Sequence, residues 1–134
     1  MIDFRRLRQL NMLYLELLVR VQRAEASATR VTSNITGMPR GGSGNHQEDA
    51  IINYVDVREA YREVLAELEQ LRAEIRPLID SIDNANIRGV MRLRYMDGWT
   101  IDRISVQTGK GISTVYRYLQ RGEQRIQKKI SQNM

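Results

Sequence analysis

Residues 92–125 read RLRYMDGWTIDRISVQTGKGISTVYRYLQRGEQR and hold the strongest local signals of structure in the chain. Gly98 can end a first helix in the left-handed conformation, and Gly109 can end a second, short helix that Thr100 caps. Ser113 is then placed to open a third helix. Two helices joined by a short turn that contains glycine are typical of the helix-turn-helix, whose second helix enters the major groove of DNA.

Positive charge is concentrated in the same part of the chain. Residues 88–134 hold ten Lys and Arg against three Asp and Glu, whereas residues 1–87 hold eleven against thirteen. The last third therefore supplies the whole net charge of +5. A row of cations also recurs every four residues and so shares one face of the third helix. A basic stripe of this kind is typical of a phosphate-binding protein, and together with the helix-turn-helix pattern it indicates double-stranded DNA as a partner. The row consists of Arg117, Arg121, Arg125 and Lys129.

The exposed side of the third helix, predicted over residues 112–131, supplies the candidate DNA contacts. The first residues of such a helix meet base edges, while flanking basic groups hold phosphates. Arg117 is the first choice for base recognition, because a guanidinium can bind O6 and N7 of guanine together. The alternative for each residue is a solvated surface side chain. The candidate base contacts are Ser113, Thr114, Tyr116, Arg117, Gln120 and Arg121, and the candidate phosphate contacts are Lys110, Arg121, Arg125 and Lys128.

This region resembles region 4 of sigma-70-type bacterial transcription factors, the part that reads the −35 promoter element. The matched residues are VMRLRYMDGWT at 90–100, the spacing of Ile104, Ser105 and Gly109, and STV at 113–115 with the Arg-rich tail. The whole chain is also similar to the ArpU- and RinA-type late activators of phages of Gram-positive hosts. The resemblance implies a phage- or prophage-encoded regulator of late or mobile-element genes, with promoter DNA and RNA polymerase as its partners.

Two long amphipathic helices are predicted before this region. Apolar residues follow heptad spacing over residues 3–31 and again over 48–76, where the pattern continues through Pro77 to Ile82. Residues 32–48 contain four glycines and a proline and predict a flexible loop. The similar lengths of the helices favour an antiparallel, coiled-coil-like hairpin, with pairing between subunits as the alternative. At Pro77 we expect a kink or the start of a new helix.

The sequence thus predicts an all-α protein with a helical hairpin over residues 1–78 and a helix-turn-helix domain over residues 79–134. The first helix is apolar around much of its circumference, which predicts either a homo-oligomer, as a dimer or a tetramer, or packing of this helix against the C-terminal domain. Two other functions stay open. One is a small terminase-like DNA-packaging subunit, which forms a ring of many copies. The other is an interaction module that binds RNA polymerase or a sigma factor.

Composition argues against catalysis, cofactors and metal sites. The chain has no cysteine and one histidine, His46, which lies in the Gly-rich stretch. The acids of the second helix are spaced along a solvated face, so they do not converge on a pocket. We therefore predict a protein that is not an enzyme. No apolar run approaches the ~20 residues that cross a bilayer, and no signal peptide opens the chain, so a cytoplasmic location is expected.

Overall fold

A computed structural model describes residues 1–34 and 44–132 of the chain. These residues form helices and short connections, and none of them lies in a β-strand. The prediction of an all-α protein is confirmed. The elements are α1 (Phe4–Asn34), α2 (Gly44–Asp80), α3 (Ala85–Met91), a π-helical turn (Arg92–Met96), α4 (Ile101–Thr108) and α5 (Ile112–Gln132).

The chain divides into two compact units, and α1 and α2 contribute to both of them. Unit 1 comprises Met1–Asn11 and Leu68–Met134, and unit 2 comprises Met12–Glu67. The boundary that the sequence predicts after residue 78 falls inside unit 1. No new helix starts at Pro77, because α2 continues through it to Asp80. Buried residues on both sides, Ile75 and Ile79, keep the chain in one helical path.

The core of unit 1 combines residues from all the helices of the chain. Each of its apolar side chains is at most 6% exposed, and burial of one such side chain stabilises a fold by about 1.5–3 kcal/mol. The first turns of α1 therefore belong to the same core as α5. The core residues are Phe4, Leu7 and Leu10; Leu68, Ile75, Ile79 and Ile82; Ile87, Val90, Met91 and Tyr95; Ile104; and Val115, Leu119 and Ile126.

Local capping explains where the short helices of unit 1 begin and end. The side chain of Asn84 accepts hydrogen bonds from the backbone N–H groups of Asn86 and Ile87 and so caps α3. Thr100 caps α4 in the same way, as predicted. Gly98 and Gly109 both have φ of 71°, which confirms the two predicted left-handed positions.

The helix before Gly98 ends in a wider turn than the sequence predicts. The backbone N–H of Asp97 donates to the carbonyl of Arg92 at 3.1 Å, a spacing of five residues instead of four. The side chain of Tyr95, within this π-helical turn, is buried in the core. The wide turn thus contributes the large aromatic ring of Tyr95 to the core.

Unit 2 is built from the remaining parts of α1 and α2. Tyr14 of α1 stacks on Tyr61 of α2 with ring centroids 5.6 Å apart, and Leu17 and Ala24 are buried. Several apolar side chains of this unit are nevertheless exposed: Met12, Leu13, Leu15 and Val19 on α1, and Ile51, Ile52 and Val55 on α2. Most of the predicted loop, residues 35–43, lies outside the described residues, and the helices extend into its margins at 32–34 and 44–48.

Candidate nucleic-acid interface

Helix α5 has one buried face and one exposed face. Its buried side packs against α3 and α4 through Val115, Leu119, Gly122 and Ile126. With 21 residues it is about 31 Å long at 1.5 Å per residue. Because the buried face is continuous, the opposite face is presented to solvent along the whole length of the helix.

Helix α5 lies close to residues of α3 at Gly122. A Cβ atom at this position would lie 2.5 Å from Cγ and 2.6 Å from Sδ of Met91, and 3.2 Å from Cγ2 of Ile87. Such distances are too short for carbon contacts, so a side chain here would force the buried Met91 side chain or the helix to move. Glycine at position 122 therefore permits the observed packing of α5 against Met91.

Most of the residues that the sequence singles out lie on the exposed face of α5. The buried face comes from other residues, so the helix keeps the predicted candidates in one continuous surface. Thr114 is partly buried at the start of the helix, and Lys110 is partly buried before it. The exposed candidates are Ser113, Tyr116, Arg117, Gln120, Arg121, Arg125 and Lys128.

Side-chain hydrogen bonds hold the connection between α4 and α5. The hydroxyl of Ser105 donates to the carbonyl of Lys110 at 2.6 Å, and the hydroxyl of Thr108 donates to the carbonyl of Ile104 at 2.6 Å. The ammonium of Lys110 lies 5.6 Å from the centre of the Tyr118 ring, within the range of a cation–π contact. These contacts and the left-handed Gly109 fix the direction in which α5 leaves the turn.

The cations of unit 1 fall into two groups with different surroundings. Several before α5 are engaged inside the unit: Arg92 pairs with Asp80 at 2.5 Å, and Arg94 donates to the carbonyl of Trp99 at 2.9 Å. The guanidinium of Arg103 stacks on the Trp99 ring at 3.9 Å. In contrast, none of the ion pairs between described residues includes a cation of α5. The charge that is available to a partner is therefore concentrated on this helix.

The single acid of α5, Glu123, is held on the inner side of the helix. Arg8 of α1 lies 2.9 Å from its carboxylate, and the Tyr95 hydroxyl donates a hydrogen bond to the same oxygen. Arg8 also donates to the Tyr95 hydroxyl at 2.9 Å. Burial, together with the hydrogen bond to Glu123, raises the pKa of Tyr95 above its ordinary value. The negative charge of Glu123 is thus compensated away from the exposed cations.

An open groove of about 630 Å³ lies at the C-terminal end of α5, beside the end of α2. Leu78, Ile82 and Ile126 contribute its apolar surface. Its described polar lining includes Arg125, Lys128 and Lys129 against one acid, Asp83. The groove places predicted phosphate contacts next to one another, at the opposite end of the helix from the candidate base contacts.

Sequence reasoning missed the contacts that orient α5 from a distance. Ile2 and Gln127 exchange two hydrogen bonds, with the Gln127 amide donating to the Ile2 carbonyl at 2.6 Å.

In the described chain, no group of three or more His, Cys, Asp or Glu residues is close enough to hold a metal ion. The helices over 1–34 and 44–132 also include none that is long and apolar enough to cross a membrane.

The chain matches the model of a known protein family. A family model described as "Protein of unknown function (DUF1492)" matches residues 27–127, which is 101 of the 134 residues. The match includes all of α2, α3 and α4 and most of α5. Neither a curated protein nor a solved structure matches the chain.

Proposed function

The chain belongs to the DUF1492 family, and we propose that it is a sequence-specific DNA-binding regulator of transcription. In this proposal α4 and α5 form a helix-turn-helix, and α5 is the recognition helix in the major groove. The observation that carries the proposal is the exposed basic face of α5. Its cations enter no ion pair with described residues, while its opposite face is buried in the core of unit 1.

Base recognition is assigned to the first turns of α5. Ser113 and Arg117 are one helical turn apart and both exposed, so they share the face that would point into the groove. A bidentate contact from Arg117 to guanine would discriminate against other bases by about 1–3 kcal/mol. Thr114, Tyr116 and Gln120 complete the set of candidate base contacts.

Phosphate binding is assigned to the rest of the basic face, where Arg121, Arg125 and Lys128 are exposed, and to Lys110 beside the turn. Each phosphate that a cation neutralises releases condensed counterions, so these contacts supply affinity that falls as salt rises. The pairing of Glu123 with Arg8 supports the assignment of α5 to phosphate binding. It compensates the one negative charge of α5, which would otherwise repel DNA phosphates.

Unit 2 is proposed to be an antiparallel helical hairpin that mediates self-association. The stacking of Tyr14 on Tyr61 supports the hairpin. The exposed apolar side chains of Met12, Leu15 and Val19, spaced along one side of α1, support a further helical partner. A dimer or tetramer of this chain would bury them. Sedimentation at increasing concentration tests this, and a monomer mass at every concentration contradicts it.

The resemblance to sigma region 4 supports promoter DNA as the target and RNA polymerase as a second partner. The similarity to the ArpU- and RinA-type late activators supports a phage or prophage origin and action on late or mobile-element genes. The direction of regulation would follow from where the site lies relative to the promoter.

Selection from a pool of random DNA duplexes at two salt concentrations tests the proposed function. An enriched sequence motif is the expected result. Arg125→Ala should bind the motif more weakly and lower the slope of log K against log salt by about 1. Arg20→Ala is the matched control, since it removes the same charge from an arginine that pairs with Glu16 in unit 2. Failure to enrich any motif would contradict the proposal and favour a protein-interaction module, and a ring of many subunits would favour DNA packaging.

A further inference from the structure

The exposed apolar side chains of α5 are confined to its first turns. Ile112 is 48% exposed and Tyr116 is 57% exposed, and they are the two large hydrophobic residues of the described helix that reach this exposure. They are four positions apart and so form one short row on the surface. Beyond Tyr116 the exposed side chains of α5 are polar or charged.

This apolar row lies beside the polar row that the proposed function assigns to base recognition. Ser113 and Arg117 each follow one member of the apolar row by a single position, so the two rows run side by side along the helix. A DNA backbone offers no apolar partner to such a row, because its outer surface is made of phosphates. The major groove does offer one, which is the C5-methyl group of thymine.

We infer that Ile112 and Tyr116 contact thymine methyl groups in the DNA site that α5 reads. This inference rests on the proposed function and specifies the base that the first turns select. The cations Arg117 and Arg121 on the same exposed surface make DNA the partner with the complementary charge. The two apolar side chains then add a preference for thymine, which phosphate contacts cannot supply.

The geometry of the helix limits where the thymines lie. Four residues of α-helix rise about 6 Å, and successive bases of one strand are about 3.4 Å apart. The two members of the apolar row therefore span about two base pairs. A guanine that Arg117 binds lies within about two base pairs of the thymine that Tyr116 contacts, because the two residues are neighbours in the helix.

Uracil replacement tests this inference, since uracil lacks only the C5-methyl group of thymine. The probe is the duplex enriched from the random pool, with each thymine replaced singly, and the readout is Kd. One or two thymines should lose affinity about fourfold on replacement, which corresponds to about 0.8 kcal/mol for one buried methyl group. Ile112→Ala should abolish the thymine–uracil difference at one of these positions.

Val106→Ala is the matched control, because Val106 is an exposed apolar side chain on α4. It should leave every thymine–uracil difference unchanged. The inference is overturned if the enriched duplex binds with no dependence on any thymine methyl group. It is also overturned if Ile112→Ala and Tyr116→Ala weaken the thymine and uracil duplexes equally. If no duplex is enriched at all, the proposed function itself fails, which is a distinct result.

Discussion

The guanidinium of Arg8 lies 2.9 Å from the carboxylate of Glu123, across 115 positions of sequence. This pair joins the first turns of α1 to the inner side of α5, and the Tyr95 hydroxyl binds both partners. The proposed recognition helix is thus oriented by a residue near the start of the chain.

Replacement of Arg8 should destabilise the fold by a moderate amount. The Arg8 and Glu123 side chains are 39% and 27% exposed, so solvent screens part of their attraction. We expect Arg8→Ala to lower the free energy of unfolding by about 1 kcal/mol, measured by urea denaturation. The exposed pair of Arg20 and Glu16 is the control, and Arg20→Ala should cost at most about 0.5 kcal/mol. Equal losses in the two variants would contradict the orienting role of Arg8.

Tyr95 should make the stability of the fold depend on alkaline pH. Its pKa is raised in the folded protein by burial and by Glu123, so folding favours the neutral hydroxyl. This contribution to the free energy of unfolding is fully present below about pH 10, the pKa of tyrosine in the unfolded chain. It is lost as the pH rises above that pKa towards the raised pKa of the folded state. Tyr95→Phe should cost about 1–3 kcal/mol at pH 7, because it removes a buried hydrogen bond to a carboxylate.

The difference in stability between the wild type and Tyr95→Phe should therefore shrink above pH 10. Tyr116→Phe, which alters an exposed ring, is the control and should change the free energy of unfolding at pH 7 by less than about 0.5 kcal/mol. A difference that stays constant up to pH 11 would show that the Tyr95 hydroxyl does not titrate with folding.

Two glycines of unit 1 should respond in opposite directions to alanine. Gly122→Ala places a methyl group against Met91 and should cost about 1–3 kcal/mol through overpacking. Gly89→Ala in α3 meets no atom within 4 Å and should stabilise the fold by about 0.5–1 kcal/mol. Thermal unfolding of both variants checks this. Stabilisation by both substitutions would mean that the packing of α5 against α3 does not require glycine at position 122.

The first eleven residues should be required for the unit that contains α5. Leu7 is buried in the core of unit 1, so Leu7→Ala should cost about 2–5 kcal/mol. Gln9→Ala changes an exposed side chain of the same helix and should alter stability by less than about 0.5 kcal/mol. Residues 79–134 alone should lack a cooperative unfolding transition. A cooperative transition in that fragment would show that the first turns of α1 are dispensable.

The sequence predicts local structure well wherever a short-range signal specifies it. Thr100 and Gly109 act within one helical turn of the backbone groups that they satisfy. The residue types at these two positions therefore predict the ends of α4 without knowledge of the fold. The basic row on α5 is predictable for the same reason, since a period of four residues fixes its face.

Long-range contacts are not predictable in this way. The hydrogen bonds of Arg8 and the packing of Gly122 on Met91 join residues that are far apart in sequence, and no periodicity reports such partners. The charge count has the same limitation. It gives Arg92 and Arg117 equal weight, although one pairs with Asp80 and the other enters no ion pair between described residues. Of the two expectations at Pro77, the start of a new helix is wrong, since α2 continues through this residue to Asp80, with Ile75 and Ile79 buried on either side.

The most direct test of the central claim compares Kd for the enriched duplex with Kd for a scrambled duplex of the same composition. The wild type should prefer the enriched duplex, and Arg117→Ala should lower that preference by roughly 5- to 150-fold, the equivalent of one bidentate base contact. Arg20→Ala should retain the preference. Equal binding of both duplexes by the wild type, or an undiminished preference in Arg117→Ala, would contradict sequence-specific recognition through α5.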